Sequence, residues 1–243
     1  MFDRAEFESN KRQQVELMAN NTSLRKQALD FVVTAFPHGY LHQWTWLGLP
    51  MLQLPSDVIA LQEIVWETKP DIIVETGVAW GGSVIFYASL CQLLGKGDVV
   101  AVDLNLMDHV QAQIMGFPFS HRIHLYKGSS TDQSVAATIK SHVKPGHRVM
   151  VVLDSNHTHD HVLAELNLYA PLVTEGNFLI VCDTWIEHSP SQAHKNRPWR
   201  PGNNAKTALL SYLKTVDRFE EDPYINGKAL MTLMPNGFLR CVK

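Results

Sequence analysis

The sequence predicts an α/β protein built on a mostly parallel sheet, and three observations carry that expectation. Short, β-branched apolar runs recur at residues 71–75, 99–102, 123–126, 148–153 and 178–181, with stretches of helical spacing between them. The first run feeds Glu75-Thr76-Gly77-Val78-Ala79-Trp80-Gly81-Gly82-Ser83, a glycine-studded turn that leads into a helix. Four of these five strands end in polar, mostly acidic groups, among them Glu75, Asp103, Asp154 and Asp183. The carboxyl edge of an open α/β sheet is where such proteins bind ligands.

Composition sets the outer bounds. The 243 residues suffice for one large α/β domain, and 45% hydrophobic with 19% charged residues is ordinary for a globular chain. A net charge of −3 shows no basic excess, so neither nucleic acid nor an anionic membrane is an expected partner. No apolar run reaches the length of a membrane span. The start, Met1-Phe2-Asp3-Arg4-Ala5-Glu6, lacks the basic-then-apolar pattern of a signal peptide. Cys91, Cys182 and Cys241 lie far apart, as reduced thiols do. A soluble, cytoplasmic protein is therefore expected.

Residues 1–30 are polar with scattered apolar positions (Val15, Leu17, Met18, Leu24, Leu29) and read as one or two amphipathic helices outside the sheet. They form a packed extension, a subunit contact or a cover over the site. The aromatic stretch from Tyr40 to Pro50 carries Trp44 and Trp46, which either line a pocket or fill the core. A helix over residues 56–68 precedes the first strand. In the glycine turn, Gly77 allows the tight bend, and Gly81 and Gly82 leave a ligand room to approach the first amides of the next helix.

That helix spans residues 83–94 and stops at Gly95-Lys96-Gly97. Asp103 ends the second strand, where it can hold ribose hydroxyls or simply cap a loop. Gly128, Ser129 and Ser130 follow the third strand and can contact an adenine or cap the helix over residues 134–141. The fourth strand ends in Asp154-Ser155-Asn156-His157-Thr158-His159-Asp160-His161, and the fifth in Asp183. Residues 188–205 are too rich in Pro, Gly and Asn for a regular element and are long enough for a lid. After a helix over residues 205–214, the segment at 229–242 reads as two strands joined by Pro235-Asn236-Gly237, an antiparallel hairpin.

If Asp154 and Asp183 end adjacent strands, they can share one magnesium ion, which lowers the pKa of a substrate hydroxyl, while His157 takes its proton. The run His157-Thr158-His159-Asp160-His161 raises a rival, a zinc hydrolase, although its spacing is one residue short of the His-x-His-x-Asp-His pattern.

With these residues together, the chain resembles the cephalosporin hydroxylase family of class I S-adenosylmethionine-dependent methyltransferases, close to the macrocin-type sugar O-methyltransferases. The resemblance rests on Trp46-Leu47-Gly48, on Val74-Glu75-Thr76-Gly77 with Gly81-Gly82-Ser83, on Leu153-Asp154-Ser155-Asn156-His157-Thr158, and on Cys182-Asp183-Thr184-Trp185, and it covers residues 40–243. It implies a Rossmann-like, seven-stranded, mostly parallel sheet with a C-terminal antiparallel hairpin. The implied domains are an N-terminal helical extension over residues 1–50 and a cofactor-binding domain over residues 51–243. It implies that Glu75, Thr76, Gly77, Gly81 and Ser83 lie about the methionine part of S-adenosylmethionine and that Asp103 holds the ribose. Gly128, Ser129, Ser130 and Asp154 complete the expected cofactor site.

In the related sugar methyltransferases Asp154 would bind magnesium, His157 would be the base, and the pair at 182 and 183 would supply two further ligands. That pair looks like Glu-Asp in those relatives, whereas this chain has Cys182-Asp183, and a thiol suits a hard cation poorly. Metal binding is then weakened, moved to Glu187, or absent. The expected function is metal-assisted O-methyl transfer to a hydroxyl of a small molecule such as a sugar or natural product, by a homo-oligomer. A non-catalytic cofactor-binding or assembly protein on the same fold is the alternative.

Overall fold

The computed structural model describes residues 3–243. Met1 and Phe2, which open the predicted extension and the start read for a signal pattern, lie outside the described residues. Two helices come first, α1 (Arg4–Asn20) and α2 (Thr22–Ala35). Asn21 separates them and caps the second, its side chain accepting from the Leu24 amide at 3.0 Å. β1 (Thr45–Trp46) and β2 (Leu49–Pro50) form a small antiparallel ribbon, so the domain boundary expected after residue 50 falls at its end.

From α3 (Pro55–Thr68) onward helices and strands alternate. β3 (Ile72–Thr76), α4 (Gly82–Leu94), β4 (Asp98–Asp103), α5 (Asp108–Met115) and β5 (Ile123–Lys127) make the first half. α6 (Gln133–Lys140), β6 (Val149–Leu153), α7 (His159–Tyr169) and β7 (Phe178–Val181) follow. The chain closes with α8 (Ala205–Leu213), β8 (Phe219–Glu221), α9 (Pro223–Lys228) and β9 (Phe238–Cys241). The short α5 had no counterpart in the sequence reading.

The sheet has seven strands in the order β5-β4-β3-β6-β7-β9-β8, parallel from β5 to β7 and antiparallel where β9 joins β7 and β8. Alternate residues of its central strands enter two cores. Ile73, Ala101, Met150 and Ile180 pack with Ile64, Ile85 and Ile114 of α3, α4 and α5. Val74, Val100, Val151 and Val181 pack with Ile139, Leu166 and Leu209 of α6, α7 and α8. Both faces are covered, which is why these strands read as unbroken apolar runs. Strand order reverses between β3 and β6, and the crevice above such a reversal is the expected ligand site.

The C-terminal antiparallel pair is present, but its first strand lies elsewhere than expected. Residues 229–234 form no strand, and β9 pairs instead with β8 on the far side of α9. Several apolar residues at 229–234 are buried by packing: Leu233 joins Val32, Leu54, Trp185 and Ile186, and Met234 joins the core with Phe238. The Leu233 amide donates to the Asp57 carboxylate at 2.9 Å, so it is taken by α3 and not by a neighbouring strand.

The same cluster ties α2 to the sheet domain through Val32. α1 lies so close on α9 that a Cβ at Gly227 would come within 2.9 Å of Val15 Cγ1.

Asp57, in the first turn of α3, is wholly buried, and its Oδ1 has no partner. Burial pushes its carboxyl up to about 7 from an ordinary 3.8, more than the Leu233 amide pulls it down. The folded protein therefore holds a proton there that the unfolded chain has released, and stability falls as pH rises from about 4 to about 7. At about 1.4 kcal/mol per pKa unit, the penalty above that window is on the order of a few kcal/mol. Asp57→Asn removes the ionisation, so the variant should gain on the wild type in urea melts at pH 8 and not at pH 4. Parallel stability curves would show that Asp57 ionises in the fold at no cost.

Candidate functional site

The site begins where β3 and β6 end side by side. Thr76 is paired with Leu153, so the next residues, Gly77 and Asp154, are neighbours, and the Asp154 amide donates to the Thr76 carbonyl at 2.9 Å. Gly77 has φ +92°, and a Cβ on it would overlap the Asp154 carbonyl oxygen. Only glycine fits there. Gly81 and Gly82 also make close protein contacts, and Gly82 lines the smaller cavity described below. A Cβ at Gly81 would come within 2.7 Å of Ile114 in α5, and one at Gly82 would strike the Pro50 carbonyl. Asp103 reaches across from β4 and fastens the turn, Oδ2 accepting from the Val78 and Ala79 amides at 2.8 and 3.0 Å.

Acidic groups gather beneath this turn. Glu75 is buried with Oε2 unpartnered; burial, with the charge of Asp103 adding, pushes its carboxyl up to about 8, against the pull of a hydrogen bond from Ser83. Asp154 is raised well above the usual carboxylate range by burial and by the charges of Asp183 and Glu75. Its Oδ2 accepts from Gln53 Nε2 at 3.0 Å. Asp183 holds a left-handed φ of +56°, rare and costly for a non-glycine residue, with Oδ1 accepting from Trp185 Nε1 at 2.7 Å. His157 Nε2 stands 3.2 Å from Asp183 Oδ2. Donor atoms of Asp154, His157 and Asp183 all lie within 4.8 Å of one another, the arrangement needed to hold one ion.

Two expected ligands stand apart from that group. Cys182 is buried, its sulfur 3.6 Å from that of Met234, and burial followed by the Asp154 charge pushes its thiol far up, so no thiolate is available. Glu187 Oε2 accepts from the Gly202 amide at 2.8 Å and from Asn204 Nδ2 at 2.6 Å, which commits it to pinning the 188–205 loop.

Two adjoining cavities open over the strand ends. One, of about 370 Å³, is lined by Gly77, Ser83, Asp154, His157 and Asp183. The other, of about 770 Å³, is lined by Asp103, Ser129, Ser130, Ser155 and His161. Gly77, Asp154, Arg197 and Trp199 border both. Glu75, Thr76, Gly81 and Gly128 line neither; Thr76 is fully buried with an unpartnered hydroxyl, and Gly128 packs on Val135. Trp46 packs against the core, edge-on to Phe86 and bonded to Ser89, and Trp44 lines neither cavity. The aromatic walls are Trp80 and Trp199, the latter edge-on to His157 with ring centroids 4.7 Å apart. Phe36, Leu41 and His42, from the end of the N-terminal extension, close the smaller cavity.

The histidine run does not gather into a zinc site. His157 precedes α7, whereas His159 and His161 stand in its first turn two residues apart, a spacing that puts side chains on different sides of a helix. His159 binds Thr207 at 2.8 Å, and His161 lies 3.1 Å from both Ser130 and Ser155. Gln53 gave no sequence signal, because one glutamine in an apolar segment carries no motif.

A family model for rhamnosyl O-methyltransferase/CmcI matches residues 38–242. The rhamnosyl O-methyltransferase of Mycobacterium leprae is 31% identical over 199 residues, covering 80% of this chain and 82% of the relative. That of Mycobacterium tuberculosis is 30% identical over 198 residues, covering 80% and 77%. Among solved structures, cmcI in a form named Mg-SAM shares the fold at a TM-score of 0.58 and 22% identity, over 83% of this chain and 78% of that one.

The overlap at Gly77 makes a sharp expectation. Gly77→Ala should destabilise the protein by about 3 kcal/mol or more, since it combines an unfavourable φ with a backbone collision. Denaturant melts measure this directly, and a loss below about 1 kcal/mol would mean that the two strand ends can separate without cost to the fold.

Proposed function

The chain belongs to the rhamnosyl O-methyltransferase/CmcI family, and from that membership we propose that it transfers a methyl group from S-adenosylmethionine to a hydroxyl of a sugar or sugar-bearing natural product. The observation that carries the reading is the convergence of Asp154, His157 and Asp183 on a cavity bordered by the glycine turn. The cavity suits cationic ligands. Glu75, Asp154 and Asp183 have no lysine or arginine partner, and Arg197 is the one such residue among the described cavity-lining residues. The two aspartates offer carboxylate oxygens to magnesium, a hard cation that keeps much of its water.

S-adenosylmethionine would supply an electrophilic methyl, and magnesium at Asp154 and Asp183 would make an acceptor hydroxyl more acidic. The chain's own residues do the rest. His157 takes the acceptor proton, and Asp183, 3.2 Å from its Nε2, orients the ring. Trp199 and Trp80 wall the acceptor side, with Phe36 and Leu41 keeping water out. In the larger cavity Asp103, which also accepts from the Asn105 amide at 2.7 Å, has about one lone pair left for a ribose hydroxyl while it fixes the turn. Cytoplasmic residence is supported by three buried free cysteines, and self-association through the N-terminal helices by the exposure of Leu17 and Phe31. No helix among the described residues is long and apolar enough to cross a membrane.

With a rhamnosyl or other deoxysugar acceptor, His157→Ala should lower kcat by about 10²–10⁴-fold, the usual size of a general-base contribution. Its affinity for S-adenosylhomocysteine in calorimetry should stay unchanged, because His157 lies on the acceptor side. Full turnover by this variant would remove His157 from the mechanism. Asp183→Asn should weaken magnesium binding in the same calorimeter, and undiminished affinity would place the ion elsewhere.

A further inference from the structure

One buried cluster at the larger cavity has no part in proton removal. Glu165 of α7 is fully buried, with Oε2 unpartnered and Oε1 accepting from the Ser155 hydroxyl at 2.6 Å. His161, one turn earlier on the same face, has Nε2 3.4 Å from Glu165 Oε1 and 3.1 Å from each of Ser155 Oγ and Ser130 Oγ. Tyr169, one turn later, donates to the Ser130 carbonyl at 2.6 Å. One stripe of α7 therefore grips the loop after β5 at Ser130. Ser130, Ser155 and His161 line the cavity that Asp103 also lines.

The hydrogen positions follow from counting donors. Ser155 gives its proton to Glu165, so its oxygen has only lone pairs left for His161. Nε2 therefore carries the ring hydrogen and faces three acceptors, Ser130 Oγ among them. Ser130, accepting from the ring, is left with a hydroxyl hydrogen to donate, and the cavity is where it can go. Because the same nitrogen faces the carboxylate and both hydroxyls, this is no relay for making a serine nucleophile, which would engage the ring through both nitrogens.

We propose that His161 and Glu165 are positioning residues that set Ser130 as a hydrogen-bond donor to a ring nitrogen of the cofactor's adenine. The proposal rests on the reading that an adenosyl cofactor occupies the larger cavity. A purine presents its ring nitrogens as acceptors, so a hydroxyl with a fixed hydrogen recognises them, whereas a freely rotating one discriminates less.

The test is calorimetry with S-adenosylhomocysteine and its 1-deaza, 3-deaza and 7-deaza analogues, each of which replaces one ring nitrogen by C–H. For the wild type, one analogue should bind about tenfold more weakly, the worth of one hydrogen bond. Ser130→Ala and His161→Ala should both bind S-adenosylhomocysteine more weakly and lose the penalty for that same analogue. A merely structural role for His161 would weaken all four ligands alike and leave the penalty in place. Equal penalties in all three proteins, or no penalty in the wild type, would overturn the assignment while leaving methyl transfer standing. Failure of the wild type to bind S-adenosylhomocysteine at all would overturn both.

Discussion

The site depends on one steric constraint, the approach of Gly77 to the carbonyl of Asp154. Two parallel strands in register end together and their chains then diverge, one into the glycine turn and the other toward α7. At the point of divergence the backbones touch, with no room for a side chain. The contact fixes Asp154 relative to the turn, and Gln53 holds its carboxylate from the other side. Asp103 fastens the same turn from β4. The larger and smaller cavities thus meet at a junction that includes main chain, which cannot drift as side-chain rotamers can.

Electrostatics sets a second condition on this junction. Burial raises the carboxyls of Glu75 and Asp154, with the charge of Asp103 adding at Glu75 and those of Asp183 and Glu75 adding at Asp154, and burial raises Asp57 as well. Buried carboxyls with no lysine or arginine partner are destabilising, and such groups stay partly protonated in the free protein. The same arrangement is favourable for a ligand that brings positive charge, because the protein has already met the cost of desolvating the acids. The strained φ of Asp183 belongs to the same economy, since local strain persists where surrounding structure over-determines it.

Features set by local rules were readable in the sequence. The five parallel strands, the glycine turn and the adjacency of Asp154 and Asp183 follow from apolar runs, punctuation and right-handed crossover logic, and the structure has each of them. What escaped was decided by partners distant in sequence. Residues 229–234 form an apolar run that reads as a strand, but Leu233 fills a gap between α2, α3 and the Trp185 segment, while β8 has a single buried residue and so gave no signal. Gly81 and Gly82 also make tight protein contacts that gave no sequence signal, at Gly81 because the element that touches it, the short α5, was itself unrecognised. Trp46 went to the core and Trp199 to the site, a distinction that depends on which loop folds back and not on residue type.

Cys182 is intelligible in the same terms. The resemblance to the sugar methyltransferases implies Glu-Asp at this pair, and a glutamate here would add a fourth acid to the group of Glu75, Asp154 and Asp183. The thiol, buried against Met234 and held far above its ordinary range, contributes no charge at neutral pH. The substitution therefore lowers the repulsion that the free fold must bear and, by the same amount of charge, the attraction it can offer a cation. Asp154 and Asp183 alone then carry that attraction, a smaller anionic set than a Glu-Asp pair would give, and one still suited to an ion that keeps most of its water.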